Sequence, residues 1–182
     1  MALAGLLVLA SGLVAAALAS AEVRSDPLLR RLHLPQLRPG QHCPVSPTHV
    51  VRPSYQRLIG RGPVYLIGVG GSGSATIDIG HSGRDGLGWY GQKTPWLVNR
   101  TYDGPILVRG ARIDRRGEIR LAKEHSQHLR RLYWPTGADQ GLQPDPHFRF
   151  LASETLFRTI GCYAYQIDGV SFSRIIVVRV RR

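Results

Sequence analysis

The regular spacing of short apolar runs from residue 53 onward is the feature that most constrains the fold. Turns containing Gly, Pro or Asp separate these runs, and no long stretch has the 3.6-residue period of a helix. Short strands at even spacing are typical of antiparallel β-sandwiches and barrels. We therefore predict an all-β domain over residues 53–182, and we favour a sandwich because it is the commoner of the two outcomes.

Several runs carry further detail about the predicted strands. In residues 75–79, ATIDI, apolar and polar side chains alternate, which predicts a half-buried strand. Pro95 predicts an edge strand or a bend, because proline lacks a backbone donor. The run ILVRGARI (106–113) predicts a strand with a bulge at its glycine. Residues 129–134, LRRLYW, fit a strand or a helix equally well.

The carboxyl-terminal stretch, residues 161–182, predicts a closing hairpin. Tyr163 and Tyr165 alternate with Cys162, Ala164 and Gln166, so the two sets face opposite sides of a strand. An Asp-Gly pair follows and favours a turn. The run IIVV (175–178) is apolar on both faces, which predicts a central strand covered on both sides.

The first 21 residues have the features of a signal peptide. They carry no charged side chain and end in Ala19-Ser20-Ala21, the small-x-small pattern that signal peptidase cleaves. An uncleaved anchor is the alternative, because about 20 apolar residues can span a bilayer. We predict a signal peptide over 1–21 and a location outside the cytoplasm, either secreted or in the cell envelope.

Residues 22–52 form the predicted lead-in to the sandwich. They contain five prolines, too many for a long helix or a central strand, so we expect an irregular segment with at most one helical turn. Cys43 in this segment and Cys162 are the two cysteines of the chain. In an oxidising compartment an even pair predicts one disulfide, which would close a long loop and stabilise the fold by about 4–5 kcal/mol at most.

The chain is strongly basic, with a formal net charge of +12, and only Lys93 and Lys123 among its cations are lysines. For an exported protein the expected polyanion is a cell wall, an anionic lipid surface or an acidic polysaccharide rather than nucleic acid. The alternative is that the arginines serve solubility in a genome that prefers arginine. We favour this second interpretation, because the arginines are scattered in pairs along the chain.

An aromatic cluster is the candidate ligand-binding surface. It consists of Trp89, Tyr90, Trp96 and Tyr102. Exposed rings of this kind can stack on sugars, because they bind with little loss of conformational entropy. Burial in the core is the more usual fate of tryptophans in a chain with three of them, and it is the alternative for this cluster.

The familiar catalytic and metal-binding motifs are incomplete. The glycine run 68–76 is followed by a predicted strand and holds no lysine, which excludes a nucleotide-binding loop. Ser82 does not lie in G-x-S-x-G, because Arg84 replaces the second glycine. His125 and His128 are spaced i, i+3 without further ligands nearby, so we predict no metal and no cofactor.

Two segments carry a resemblance to a known group of proteins. YDGPILVRGARID (102–114) and GCYAYQIDGVSFSRIIVVRV (161–180) resemble segments of uncharacterised exported bacterial proteins that end in an immunoglobulin-like β-sandwich. There a Gly-Cys-Tyr/Trp strand pairs with the last strand, and an upstream cysteine corresponds to Cys43. The resemblance implies an immunoglobulin-like sandwich and export, and it carries over no catalytic residue.

From these observations we expect a monomeric, non-catalytic binding or structural module at the cell envelope or outside the cell. Its partner would be a cell-wall or other anionic polysaccharide, or another envelope protein. One alternative is a small secreted hydrolase that uses His81, Asp78 or Asp85 from the glycine-rich loops. The other is a surface protein tethered to the membrane by an uncleaved amino-terminal segment.

Overall fold

The computed structural model describes residues 26–50, 57–68, 74–124, 127–142 and 145–182. The predicted signal peptide, the ends of the predicted lead-in, most of the glycine turn and His125 lie outside these ranges. The described residues form a short 3-10 turn at Pro27–Leu29 and thirteen strands. The strands are β1 (Thr48–His49), β2 (Leu58–Ile59), β3 (Val64–Ile67), β4 (Thr76–Asp78), β5 (Tyr90–Lys93), β6 (Trp96–Asn99), β7 (Ile106–Arg112), β8 (Arg120–Ala122), β9 (Arg131–Trp134), β10 (Phe148–Leu151), β11 (Glu154–Phe157), β12 (Gly161–Gly169) and β13 (Ser173–Arg181).

These strands form three sheets. Sheet A has the order β1-β2-β3-β6-β10, sheet B the order β4-β13-β12-β7-β9, and sheet C the order β5-β11-β8. The prediction of an all-β, sandwich-like fold is confirmed, and residues 129–134 contain a strand rather than a helix. The expectation of antiparallel pairing alone needs one correction, because β4 pairs with β13 in parallel. None of the described residues belongs to a helix long and apolar enough to cross a bilayer.

A bent two-stranded ribbon joins sheets A and C. β6 pairs with β10 in sheet A, and the preceding β5 pairs with the following β11 in sheet C. The two strands of the ribbon bend opposite each other. One bends at Thr94-Pro95 and the other at Ala152-Ser153. The N–H of Thr94 donates to the carbonyl of Ser153 at 2.9 Å across this corner. Pro95 therefore marks a bend, as predicted. Because of this bend, the same ribbon contributes strands to sheet A on one side and to sheet C on the other.

The main core draws its side chains from all three sheets. On β12 the inward residues are Tyr163, Tyr165 and Ile167, as the alternation predicts. Tyr165 packs edge-to-face on Trp96 of sheet A, with their ring centres 5.4 Å apart. Aromatic pairs in this geometry contribute about 0.5–1.5 kcal/mol beyond the burial of their area. This contact joins sheet A to sheet B in the core.

The amino-terminal segment covers the outer face of sheet B. Leu34 and Leu37 pack against a buried cluster that includes Ala164 and Val177, and Ser46 exchanges hydrogen bonds with the backbone of Val177. The burial of Val177 confirms that β13 is covered on both sides at this point. Ile175, however, is 36% exposed, so the cover does not extend along the whole predicted run. The segment acts as an irregular outer layer of the sandwich.

A disulfide and a buried polar network hold this layer in place. Cys43 and Cys162 form the predicted bond over a sequence separation of 119 residues. Asp168 is fully buried and accepts hydrogen bonds from Arg109 and from Gln166, whose side chain also bonds to the backbone of the amino-terminal segment. Buried charges are tolerated when they are paired in this way. The layer is therefore bound through specific contacts on β7 and β12.

The predicted bulge in β7 needs revision. The register of β7 with β12 runs without interruption from Ile106 to Arg112, so Gly110 does not mark a bulge on that side. A Cβ at Gly110 would lie 2.6 Å from Ile119 Cδ1 and 2.7 Å from the carbonyl of Ala164, so the glycine permits close packing. After a single bridge between Ala111 and Glu118 the chain leaves β7, and β8 joins sheet C instead.

Candidate anion-binding surface

Trp89 lies immediately before β5 and carries two arginines on its ring. The guanidinium carbon of Arg158 is 4.4 Å from the ring centre and that of Arg120 is 5.5 Å away. Arginine stacks readily on tryptophan, because the ring face is negative and the guanidinium is weakly hydrated. Trp89 is only 3% exposed. The surface at this point is therefore made by the cations that cover the ring.

Tyr90, the next residue, repeats this arrangement. The guanidinium carbons of Arg84 and Arg182 lie 4.9 Å and 5.0 Å from its ring centre, and Arg182 also hydrogen-bonds to its hydroxyl. We call the group of Trp89, Tyr90 and these four arginines the arginine–aromatic cluster. It gathers arginines that are far apart in the sequence, at positions 84, 120, 158 and 182. Arginines that are widely separated along the chain thus form a patch on the surface.

The charges of the cluster are only partly compensated. Arg120 forms an ion pair with Glu118, with 2.6 Å between nitrogen and oxygen. Within the described ranges, no carboxylate forms an ion pair with Arg84, Arg158 or Arg182. Exposed cations without a carboxylate partner keep their capacity to bind an anion. The cluster therefore presents a positive surface that an anionic ligand could use.

The loop between β4 and β5 positions Arg84 beside Tyr90, and Asp85 shapes this loop. The Asp85 carboxylate accepts hydrogen bonds from the N–H groups of Leu87 (2.9 Å) and Trp89 (2.8 Å). Its other oxygen lies 3.1 Å from Nε2 of His128. The N–H of Trp89 is the main cause that lowers the pKa of Asp85 below its usual range, with smaller contributions from Leu87 and His128. A charged Asp85 thus holds the loop closed on itself.

An open groove of about 540 Å³ runs beside Trp89. The residues that line it come from the β4–β5 loop, from β5 and β11, and from the segment before β9: Gly83, Arg84, Asp85, Gly86, Leu87, Trp89, Gly91, His128, Glu154 and Leu156. Leu87 is 65% exposed and gives the groove an apolar edge. The groove is open to solvent and does not enclose a ligand.

The four aromatic residues predicted as a binding surface do not share one exposed platform. Trp96 is fully buried, and its indole N–H donates to Ser153 Oγ at 3.0 Å. Tyr102 packs on Phe172 and donates its hydroxyl to the carbonyl of Pro105, so it braces the β12–β13 turn. The core alternative considered above therefore describes Trp96. Tyr90 remains partly exposed within the arginine–aromatic cluster.

Among the described residues, no hydrogen bond or ion pair joins His81, Asp78 and Asp85, the residues of the hydrolase alternative. Asp78 accepts a hydrogen bond from the N–H of Gly80 and lies 3.7 Å from Nε of Arg181. Asp85 pairs with His128 and not with His81. In the described part of the chain, no group of three or more His, Cys, Asp and Glu side chains is arranged to hold a metal ion. Ser82 donates its hydroxyl to Gln92 Oε1 at 3.2 Å.

Sequence reasoning missed the two residue pairs that shape this surface. His128 and Asp85 are separated by 43 positions, and Arg158 follows β11 without any motif around it. Only the pairing of β5 with β11 brings Arg158 beside Trp89. Two features of the sequence indicate such a surface: the high arginine content of the chain and the consecutive aromatic residues Trp89 and Tyr90.

Comparison of the chain with protein-family models, with curated proteins and with solved structures gave no match.

Proposed function

We propose that this protein is an exported, non-catalytic β-sandwich that binds an anionic polysaccharide at the cell envelope or outside the cell. The observation that carries the proposal is the packing of four arginines on Trp89 and Tyr90, three of them without an ion-pair partner among the described residues. Immobilised guanidinium groups are well suited to carboxylates and sulfates, because they offer a planar fork of donors.

Because Trp89 is buried, we infer that the ligand is recognised through the charges of the arginines and not by stacking on the indole ring. A neutral sugar would need an open ring face, and Trp89 is covered by Arg158 and Arg120. An acidic sugar would instead meet the guanidinium groups that form the surface. The net charge of +12 supports the same choice, because it attracts polyanions over a longer range.

We base the proposed location outside the cytoplasm and the proposed immunoglobulin-like fold on the sequence. The disulfide agrees with this location. The pair Cys43–Cys162 is bonded, and such bonds persist in oxidising compartments. The resemblance of residues 161–180 to exported proteins with an immunoglobulin-like domain supports export as well. We therefore extend the proposal to an immunoglobulin-like module that acts as a monomer outside the cytoplasm.

Binding to a matched pair of polymers tests this function. Polygalacturonate and its methyl ester share a backbone and differ in charge, and inorganic polyphosphate offers the same sign of charge on phosphate. Isothermal titration should show binding to polygalacturonate and none to the ester. Equal binding to both forms, or binding to polyphosphate alone, would refute an acidic polysaccharide as the ligand. Binding to neither polymer would refute it too.

A further inference from the structure

The corner of the bent ribbon borders a second cleft, which shares Glu154 with the groove beside Trp89. Its volume is about 340 Å³, at the lower end of the range of roughly 300–1,000 Å³ typical of ligand pockets. The lining residues come from β5, β10, β11, the two corners and the segment after β8: Lys93, Pro95, Lys123, Glu124, Phe150, Ala152, Ser153 and Glu154. The cleft combines an apolar part with ionic groups of both signs.

Both lysines of the chain line this cleft. All other cationic side chains, apart from histidines, are arginines. Lys93 ends β5 and Lys123 follows β8, and these two strands flank β11 in sheet C. They therefore approach from opposite sides of Glu154, which is the register partner of Lys93 and of Ala122. Lysine provides a compact ammonium on a flexible stem, and this suits a small carboxylate.

The ionic groups of the cleft include one cation and one anion without an ionic partner in the part of the chain that the structure describes. Among the described residues, neither Lys93 nor Glu124 forms an ion pair. Lys123 donates to the carbonyl of Tyr133, and its ammonium lies 5.3 Å from the ring centre of Trp134. An ammonium and a carboxylate that border one cleft without pairing complement a ligand that carries both charges.

The floor of the cleft is rigid. The Ser153 hydroxyl donates to the carbonyl of Thr94 at 2.7 Å and accepts from the indole of Trp96 at 3.0 Å. A buried hydrogen bond of 2.8 Å joins the hydroxyls of Thr94 and Thr155. These bonds fix both corners of the ribbon, so Pro95 and Phe150 present a preformed apolar surface. A preformed site binds a small ligand at a lower entropic cost.

We propose that this cleft binds a small zwitterion with an apolar side chain, of the amino-acid or short-peptide class. The ligand carboxylate meets Lys93 and Lys123, its ammonium meets Glu124, and its side chain packs on Pro95 and Phe150. The site is independent of the arginine–aromatic cluster. It would make the protein a receptor for a small molecule in addition to a polymer-binding module.

Three probes with the same apolar body separate the contributions of charge. The ¹⁵N-labelled protein is titrated with phenylalanine, 3-phenylpropanoate and phenethylamine, and the dissociation constants are read from backbone shifts at the ribbon corner. We expect phenylalanine to bind about tenfold more tightly than either singly charged probe. Equal affinities for the three probes, or no shifts at residues 93–95 and 150–154, would overturn the proposal.

Two variants assign the ionic contacts. Lys93→Met should weaken phenylalanine and 3-phenylpropanoate about tenfold and leave phenethylamine unchanged, whereas Glu124→Gln should weaken phenylalanine and phenethylamine only. Both side chains are exposed, so both variants should keep the wild-type melting temperature. The same effect of both variants on all three probes would contradict the assignment. Neither variant alters the arginine–aromatic cluster, so failure here leaves the polysaccharide proposal to its own test.

Discussion

Arg158 places its guanidinium carbon 4.4 Å from the ring centre of Trp89, and this contact turns a buried aromatic residue into the support of a cationic surface. The indole holds the arginine in place at the edge of sheet C. The arginine in turn shields the indole from water. Stability and surface charge therefore depend on the same pair.

This pairing predicts a spectroscopic change. Arg158→Gln should expose part of Trp89 and shift the tryptophan emission to longer wavelength, since Trp96 and Trp134 stay buried. The loss of one cation–π contact should lower the free energy of unfolding by about 0.5–1 kcal/mol. Arg116→Gln, an exposed arginine in the β7–β8 connection, is the control and should change neither quantity. An unchanged emission maximum in Arg158→Gln would show that the arginine does not cover the ring.

Trp96 should matter for stability and not for ligand binding. Trp96→Ala removes a fully buried side chain and its hydrogen bond to Ser153, and should cost about 3–5 kcal/mol of unfolding free energy. Trp96→Phe keeps a ring against Tyr165 and should cost less. Chemical denaturation measures both values. If Trp96→Phe folds normally but loses polymer binding, the assignment of Trp96 to the core alone is wrong.

The disulfide should contribute a large part of the stability. Replacing Cys43 and Cys162 by alanine opens a loop of 119 residues, and chain-entropy arguments place the loss at about 4–5 kcal/mol as an upper limit. The amino-terminal layer should also become more accessible, which hydrogen exchange at Val177 can detect through its bond to Ser46. A denaturation midpoint that is insensitive to reductant would argue against this role.

Asp85 predicts a defined pH dependence. Its pKa is lower in the folded protein than the value of about 3.9 expected for an unfolded chain, so its charge stabilises the fold above that value. The contribution is lost as the pH falls through the lower, folded-state pKa. Asp85→Asn keeps an oxygen that can accept from Trp89 and removes the charge. The variant should therefore be less stable than wild type at pH 6, and the difference should shrink towards pH 3.

Urea titrations of both proteins at several pH values measure this difference. A stability gap that stays constant with pH would show that the charge of Asp85 does not hold the β4–β5 loop.

The strands themselves could be predicted because side-chain alternation and turn residues are local properties. Tyr163 and Tyr165 face the core as the alternation requires, and Pro95 bends its strand because it cannot donate a ladder hydrogen bond. The burial of Ile175–Val178 could be predicted for only part of the run. Whether the outer face is covered depends on the amino-terminal segment, which is more than 100 residues away in the sequence.

The assignment of strands to sheets and the candidate site could not be predicted, because both depend on contacts between distant residues. Glu118 begins as a hairpin partner of Ala111, yet β8 continues into sheet C beside β11. The pairing of β8 with β11 brings Arg120 to Trp89, and the pairing of β11 with β5 brings Arg158 there. No spacing in the sequence links these three residues, because only the strand pairing brings them together.

The salt dependence of polygalacturonate binding, measured on matched charge variants, tests the proposed function most directly. Arg84→Gln/Arg158→Gln removes two charges from the arginine–aromatic cluster, and Arg115→Gln/Arg116→Gln removes two exposed charges in the β7–β8 connection. At low salt the cluster variant should bind about fivefold to tenfold more weakly than wild type and depend less on salt, because screening then acts on fewer contacts. The control variant should stay close to wild type. Equal losses in both variants would contradict the account, because they would show that net charge alone binds the polymer.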